Sequence, residues 1–501
     1  MVEISGSAKF GVEDVKPAHR ARLVVWASRL FFDQRGNALR HSLLFAVAAA
    51  DVASIVIAWP VSNMLCSAAF AVSWASITAT ALVALMTVWV LYGQWSYSIP
   101  SLRKFGLQIV KVLTSVVVVA LGISGLAFLF DQQAVSPGEI AAWMALTALM
   151  LCFVRIAAKW VIELLTRAGR LVRRTVIVGG GKCADDLIHA LKADPTNHMQ
   201  ILGIFDDRKS ERVSGSCADI ARLGTFEDLT DFCRAAGVDL LIVTIPARAE
   251  ERLMQILCKL FTLQVDIRVS ALNSKLRLTS RTLSFIGRVP MLAVMDKPLS
   301  DWDCVVKNIE DRVLGALLLL FALPVMAIIA LAVRLDSRGP VLFRQKRYGF
   351  NNELIEVLKF RSLYIEDQDA TGSNVVTRND PRVTKVGRFI RRTSLDELPQ
   401  LINVLKGQMS LVGPRPHATG SKADRDLFED VVEGYFARHR MKPGVTGWAQ
   451  INGWRGEVDT HEKLLRRVEQ DLYYIEKWSV LLDLYIIAMT PVSLVTGKNA
   501  Y

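Results

Sequence analysis

Four apolar runs dominate the first third of the chain, near residues 43–63, 68–92, 108–130 and 140–162. The second is uncharged for 25 residues and the third for the 19 that follow Lys111. At about 1.5 Å of rise per residue, either can cross about 30 Å of hydrocarbon as a helix. The first run carries Asp51, which a spanning helix must turn toward the bundle interior. In the fourth only Ile140 to Val154 is free of charge, so Arg155 and Lys159 are expected to snorkel at its end.

The period changes after residue 170. "TVIVGGGKCADDLIHAL" reads as a buried strand, a glycine turn and a helix, and "ILGIFDD" and "VDLLIVTIP" read as later strands. Residues 170–290 are therefore expected to form a Rossmann-like α/β domain. Gly179-x-Gly181-x-x-Ala184 fits the dinucleotide-binding fingerprint, with Asp206 and Asp207 near the acidic position expected about 20–25 residues on. The same glycines also suit close packing of a helix on a strand, and a fingerprint alone carries no function.

A fifth apolar run, Val313 to Val333, has 21 uncharged residues with Pro324 at its middle. Lys307 and Arg312 precede it; Arg334, Arg338, Arg344, Lys346 and Arg347 follow. Basic flanks on both sides and a helix-breaking proline predict a re-entrant segment, 313–333, that enters and leaves by one membrane face.

Composition agrees with membrane segments: 52% of the 501 residues are hydrophobic and the mean hydropathy is +0.31. Loop charge orients them. Residues 1–42 hold seven Lys/Arg, and Arg167, Arg170, Arg173 and Arg174 follow the fourth run, whereas the 131–139 loop holds only Asp131 and Glu139. The positive-inside rule then places the N-terminal segment and everything after residue 165 in the cytoplasm. The net charge of +12 fits cytoplasmic loops and anionic lipid. No zinc-finger spacing, RNA-binding aromatic signature or basic aromatic stripe points to nucleic acid. Seven cysteines without a C-x-x-C pair argue against a disulfide framework or zinc site. The polar, basic start is not read as a signal peptide.

The chemistry concentrates in the last third. In "RRTSLDELPQLINVLKGQMSLVGPRP" the pair Asp396-Glu397 is bracketed by Arg391, Arg392 and Arg415. Taken alone, Ser394-x-x-Glu397 reads as a capping box and Pro399 as a first-turn proline. Yet "GPVLFRQKRYGFNNELIEVLKFRSL" supplies Arg344, Lys346, Arg347, Lys359 and Arg361, and Arg382, Lys385, Arg388 and Lys442 follow. Arginines grip phosphate bidentately, so cations around a carboxylate pair suggest a phosphate substrate. One carboxylate can hold Mg²⁺ and the other can attack phosphorus.

"PVLFRQKRYG", "KFRSL", "DPRVTKVGRFIRRTSLDELPQLINVLKGQMSLVGPRP" and "KPGVTGWAQINGWRGE", in this order, resemble the bacterial sugar transferase family, the polyprenyl-phosphate hexose-1-phosphate transferases. The resemblance covers about residues 300–501, and the preceding regions resemble the large membrane form. "TGWAQINGWRGE" is most similar to members that start colanic-acid-like exopolysaccharides with glucose. The resemblance implies an α-helical bundle of four spans (43–165), the α/β domain, and a mainly α-helical, membrane-associated catalytic domain (300–501). It implies a Mg²⁺-dependent phosphoglycosyl transfer at the bacterial inner membrane, on its cytosolic side. UDP-sugar and undecaprenyl phosphate would give undecaprenyl-diphosphate-sugar and UMP. Asp396 would be the nucleophile, holding the phosphosugar covalently; Glu397 would bind Mg²⁺; Arg391 and Arg415 would hold phosphate, alongside Lys359 and Arg361 from the basic cluster. Pro324 would break the re-entrant helix, although Leu323 stands where many members have serine. Homo-oligomerisation is left open.

Two rival readings remain. One is a membrane-bound NAD-dependent sugar-nucleotide dehydratase or epimerase using Gly179, Gly181 and Ala184, with Tyr473-x-x-x-Lys477 as its Tyr/Lys pair. That pair lies 294 residues beyond Gly179, outside the α/β domain. The other is a non-enzymatic scaffold for polysaccharide assembly.

Overall fold

The computed structural model describes residues 35–66, 74–129, 137–193, 199–207, 220, 222–245, 250–260, 263, 265–271, 283–286, 289–364, 380–417, 422–423, 426–428, 435–456 and 460–496. The chain divides into two compact units. One comprises Asp33–Arg173 with Ser300–Val305; the other includes Arg174–Leu299 and Val306–Tyr501.

In the first unit the apolar runs are long helices: α1 (Arg35–Cys66), α2 (Trp74–Gly93), the short α3 (Ile99–Arg103), α4 (Phe105–Leu129) and α5 (Pro137–Arg167). Four of these are long and apolar enough to cross a membrane. α1 and α5 outrun the expected spans at both ends, because backbone bonding continues after the apolar pattern stops. The loops expected between the first and second runs and between the third and fourth lie outside the described residues.

Arg155 does not snorkel. Its two terminal nitrogens donate to the Asp51 carboxylate at 3.0 and 2.8 Å, and both side chains are buried. The Tyr97 hydroxyl donates to the same carboxylate at 2.8 Å, and Tyr97 stacks on Trp302. Asp51 faces inward as expected, and that inward carboxylate supplies the reason: inside a bundle a paired guanidinium costs less than a lone one. Lys159 stays half-exposed beside Glu163.

The α/β domain holds a seven-stranded sheet in the order β3-β2-β1-β4-β5-β7-β6. Its strands are β1 (Arg173–Val178), β2 (Met199–Phe205), β3 (Arg222–Gly224), β4 (Leu240–Val243), β5 (Asp266–Ser270), β6 (Leu283–Ile286) and β7 (Val289–Met295). Between them run α6 (Lys182–Lys192), α7 (Phe226–Ala236) and α8 (Glu250–Leu260). The parallel part has the strand order of mononucleotide-binding sheets. β4 is buried throughout, as a strand covered on both faces must be. The antiparallel β5–β7–β6 edge was not foreseen and carries the domain to Met295.

Next comes α9, a single helix Asp301–Asp336 of 36 residues that runs through Pro324 without interruption. Helical backbone bonding continues on both sides of Pro324, whose ring removes one bond from the ladder. The helix is followed by the hairpin β8 (Leu342–Tyr348) and β9 (Leu354–Phe360), then α10 (Lys385–Arg392) and α11 (Gln400–Leu405). A parallel pair, β10 (Ser410–Val412) with β11 (Gly444–Thr446), and the helices α12 (Trp448–Ile451), α13 (His461–Lys477) and α14 (Val480–Thr496) complete the region. Its core joins Met326, Ile329 and Val333 of α9 to Phe360 and Ile390, with Leu395 and Leu398 packed on the same cluster.

Candidate active site

Asp396 and Glu397 do not start a capped helix. They form a 3₁₀ turn, Leu395–Glu397, ahead of α11. Ser394 stands in the left-handed region at φ +59° and makes no capping bond. Its hydroxyl instead accepts from Arg455 at 2.5 Å. The capping-box expectation fails because both of its side chains are engaged elsewhere. Leu395 and Leu398, on either side of the pair, anchor the turn on the apolar face of α9.

Glu397 is clamped. Lys359 donates to Oε1 at 2.8 Å, and Arg415 spans both oxygens at 2.5 and 3.0 Å. Burial would raise its pKa, but the Arg415 guanidinium and Lys359 ammonium outweigh that and hold it well below the usual range. Asp396, half-buried next door, forms no hydrogen bond or ion pair with any described residue. Burial and the neighbouring Glu397 charge push its carboxyl up, against Lys359, Arg391 and Arg415. Adjacent carboxyls thus differ in kind: one is locked into ion pairs, the other is uncommitted.

Strand geometry sorts the basic residues. Lys359 lies on β9, and Arg347 on the paired strand β8. Alternation turns Gln345 and Arg347 inward, while Arg344 is left outside beside Glu356. Arg347 donates to Gln345 Oε1 and to the Pro416 carbonyl; burial and Arg415 push its pKa down to about 10. Asn403, buried on α11, accepts from the Leu358 amide and donates to the Glu356 carbonyl, tying β9 to the helix behind the carboxylates.

Arg415 hangs from a crowded backbone junction. The Gly413 amide donates to the Thr446 carbonyl at 2.9 Å and the Gly444 amide to the Pro414 carbonyl at 3.0 Å. A Cβ on either glycine would collide with the other strand, which explains why "GPRP" and "KPGVTG" both carry glycine. Buried Arg438 holds the Arg415 carbonyl at 2.7 Å and pairs with Asp471 at 2.6 Å.

The remaining sequence candidates separate. Arg391 is among the cations acting on Asp396, from the last turn of α10. Arg361 is not brought to the carboxylates: its guanidinium donates to the carbonyls of Ser337 and Arg338 at the end of α9. Arg382 is spent on Asp380, and Lys442 on Asn308. Asn403 and Arg438 were missed, since nothing local distinguishes them from other polar helix residues. Arg455 lay within a noted motif without being singled out.

In the α/β domain Gly179 and Gly181 have φ of +98° and +87°, which the glycine turn requires. Ala184 is buried under the sheet. Asp206 accepts from the Gly180 amide at 3.0 Å, so its carboxylate already occupies one of the turn's donors. Tyr473 stacks on Trp448.

For a magnesium ion the acceptors on offer would be the Asp396 carboxylate and Oε2 of Glu397. Among the described residues no group of three or more His, Cys, Asp or Glu forms a metal site. Glu397 Oε2, with one bond from Arg415, retains acceptor capacity beside the free Asp396.

Residues 302–497 match the bacterial sugar transferase family and residues 96–271 the CoA-binding domain family. The chain is 39% identical over 360 residues to an undecaprenyl-phosphate glucose phosphotransferase of Komagataeibacter xylinus, covering 72% of this chain and 66% of the relative. It is 40% identical over 364 residues to a UDP-glucose:undecaprenyl-phosphate glucose-1-phosphate transferase of Escherichia coli, covering 72% and 76%. A protein of the same description in Klebsiella pneumoniae is 39% identical over 339 residues, covering 67% and 70%.

Proposed function

Because the chain belongs to the bacterial sugar transferase family, we propose that it transfers glucose-1-phosphate from UDP-glucose to undecaprenyl phosphate and releases UMP. This is a membrane step that would open exopolysaccharide synthesis. The observation that carries the reading is the division between a clamped Glu397 and an unpartnered Asp396 among cations.

An Asp396 oxygen attacks the sugar-bearing phosphorus of UDP-glucose. The bond from that phosphorus to the bridging oxygen breaks, and UMP leaves with the electron pair. The phosphosugar is then held on Asp396 as a mixed anhydride. An oxygen of the lipid phosphate attacks the same phosphorus, forms the diphosphate and returns the carboxylate. Arg415, Lys359, Arg347 and Arg391 balance the phosphate charge, and their fixed positions spare reorganisation as charge moves. Glu397 would hold Mg²⁺ through Oε2, and the ion would neutralise charge on the diphosphate.

Packing supports a re-entrant α9. The second half of the apolar stretch, Leu319 to Val333, packs on Phe360, Ile390, Leu395 and Leu398 of the catalytic region. A vertical span would drag that charged region into hydrocarbon, at several kcal/mol for each unpaired polar group. A shallow helix keeps the carboxylates at the level of lipid phosphate. The basic flanks then favour the cytosolic face.

The test is UMP release by purified protein with undecaprenyl phosphate and a panel of UDP-sugars. Release with UDP-glucose and no nicotinamide requirement is expected; a silent panel defeats the reading.

A further inference from the structure

Arg467, in the second turn of α13, is 3% exposed and has no acidic partner among the described residues. The acid one turn along, Asp471, is taken by Arg438 at 2.6 Å. Nη1 of Arg467 reaches only the Gly456 carbonyl, at 3.4 Å. Nε and Nη2 have no partner. Buried Arg155, Arg361 and Arg438 each leave Nε alone open; Arg467 leaves two nitrogens.

Nε and Nη2 share one edge of the guanidinium, spaced to grip two oxygens of one anion. Burying a guanidinium without an anion is costly, and a fold retains such a group where a ligand completes it. Burial and Arg415, reinforced by Arg438 and opposed by Asp471, push its pKa down to about 9.

Its surroundings tie it to the reacting centre from two directions. Gly456, which holds Nη1, follows Arg455, whose guanidinium reaches Ser394 beside the carboxylates. Asp471 leads through Arg438 to the Arg415 carbonyl. Arg415 is itself neutralised by Glu397, whereas no described acid pairs with Arg467.

We propose that Arg467 is a further substrate ligand, its free edge holding a phosphate brought in by the nucleotide or by the lipid. The inference rests on the transferase reading for the identity of that phosphate.

The test uses full-length protein in detergent, with Arg467→Met and Arg467→Lys, and exposed Arg466→Met as control. Affinity is measured for UMP in one arm and for a short-chain polyprenyl phosphate in the other, together with thermal unfolding of each ligand-free variant. Arg467→Met is expected to weaken at least one ligand by roughly ten- to a hundredfold while leaving the ligand-free midpoint equal or higher. The weakened arm identifies the source. Arg467→Lys, which keeps the charge and loses the fork, should fold normally and still bind less tightly, so the question survives if the methionine variant does not fold. Unchanged affinity in both arms overturns the proposal, whatever the unfolding shows. Failure of the transferase reading appears separately, as absent UMP release by the wild-type protein.

Discussion

Arg415 grips Glu397 through both terminal nitrogens, at 3.0 and 2.5 Å, and so decides which carboxylate of the pair is free. A residue in a Gly-Pro frame thus assigns roles to two neighbours 18 and more positions away. The bidentate geometry leaves Asp396 as the uncommitted group.

Asp396→Asn should reduce turnover on the order of a thousandfold or more and remove any trapped phosphosugar. The same variant should be more stable near neutral pH. A carboxyl whose folded pKa is raised costs nothing below its unfolded value and destabilises once pH exceeds the folded one. A neutral amide escapes that cost. For the same reason the acid limb of kcat/KM should lie above the ordinary Asp value of 3.8. Near-wild-type product from the variant would sink the covalent route.

Glu397→Gln should behave in the opposite way. Its depressed pKa contributes stability above the unfolded value, lost as pH falls through the folded one. Losing the charge leaves Lys359 and Arg415 unpaired, and breaking such a buried pair costs about 3–5 kcal/mol. A lower unfolding midpoint and a shifted Mg²⁺ titration are expected. An unshifted titration removes Glu397 from the metal role.

In the helical bundle, Asp51→Asn or Arg155→Met alone should destabilise by about 3–5 kcal/mol, each stranding a charge. The double variant should recover most of that loss. Thermal unfolding in detergent, read as a double-mutant cycle, gives the coupling. Additive losses would mean that the pair is not coupled.

Membrane topology can be read with single cysteines at Asp301 and at exposed Lys406, in a background lacking the seven native cysteines. Both should be protected from an impermeant reagent in intact cells and labelled after permeabilisation. Labelling of the Lys406 position alone in intact cells would make α9 a true span. Pro324→Ala restores the missing backbone bond and should lower activity by changing the path of the helix beneath the carboxylates.

The long apolar helices, the parallel strands and the Asp-Glu pair among cations were all legible in the chain, because each is written in neighbouring residues. An uncharged run, an aliphatic run beside a glycine turn, and an Asp-Glu pair among arginines keep their meaning whatever surrounds them. Roles that depend on a partner far along the chain were not legible. Arg155 finds Asp51 across 104 positions, and Lys359 finds Glu397 across 38. Ser394 and Glu397 match a capping box letter for letter, yet long-range bonds to Arg455, Lys359 and Arg415 outcompete the local ones. Arg361 and Arg415 look alike in the chain, but one closes a helix end and the other clamps Glu397. A guanidinium has the same local preferences everywhere; burial and the nearest anion give it a job, and both arise from packing between segments far apart in the chain.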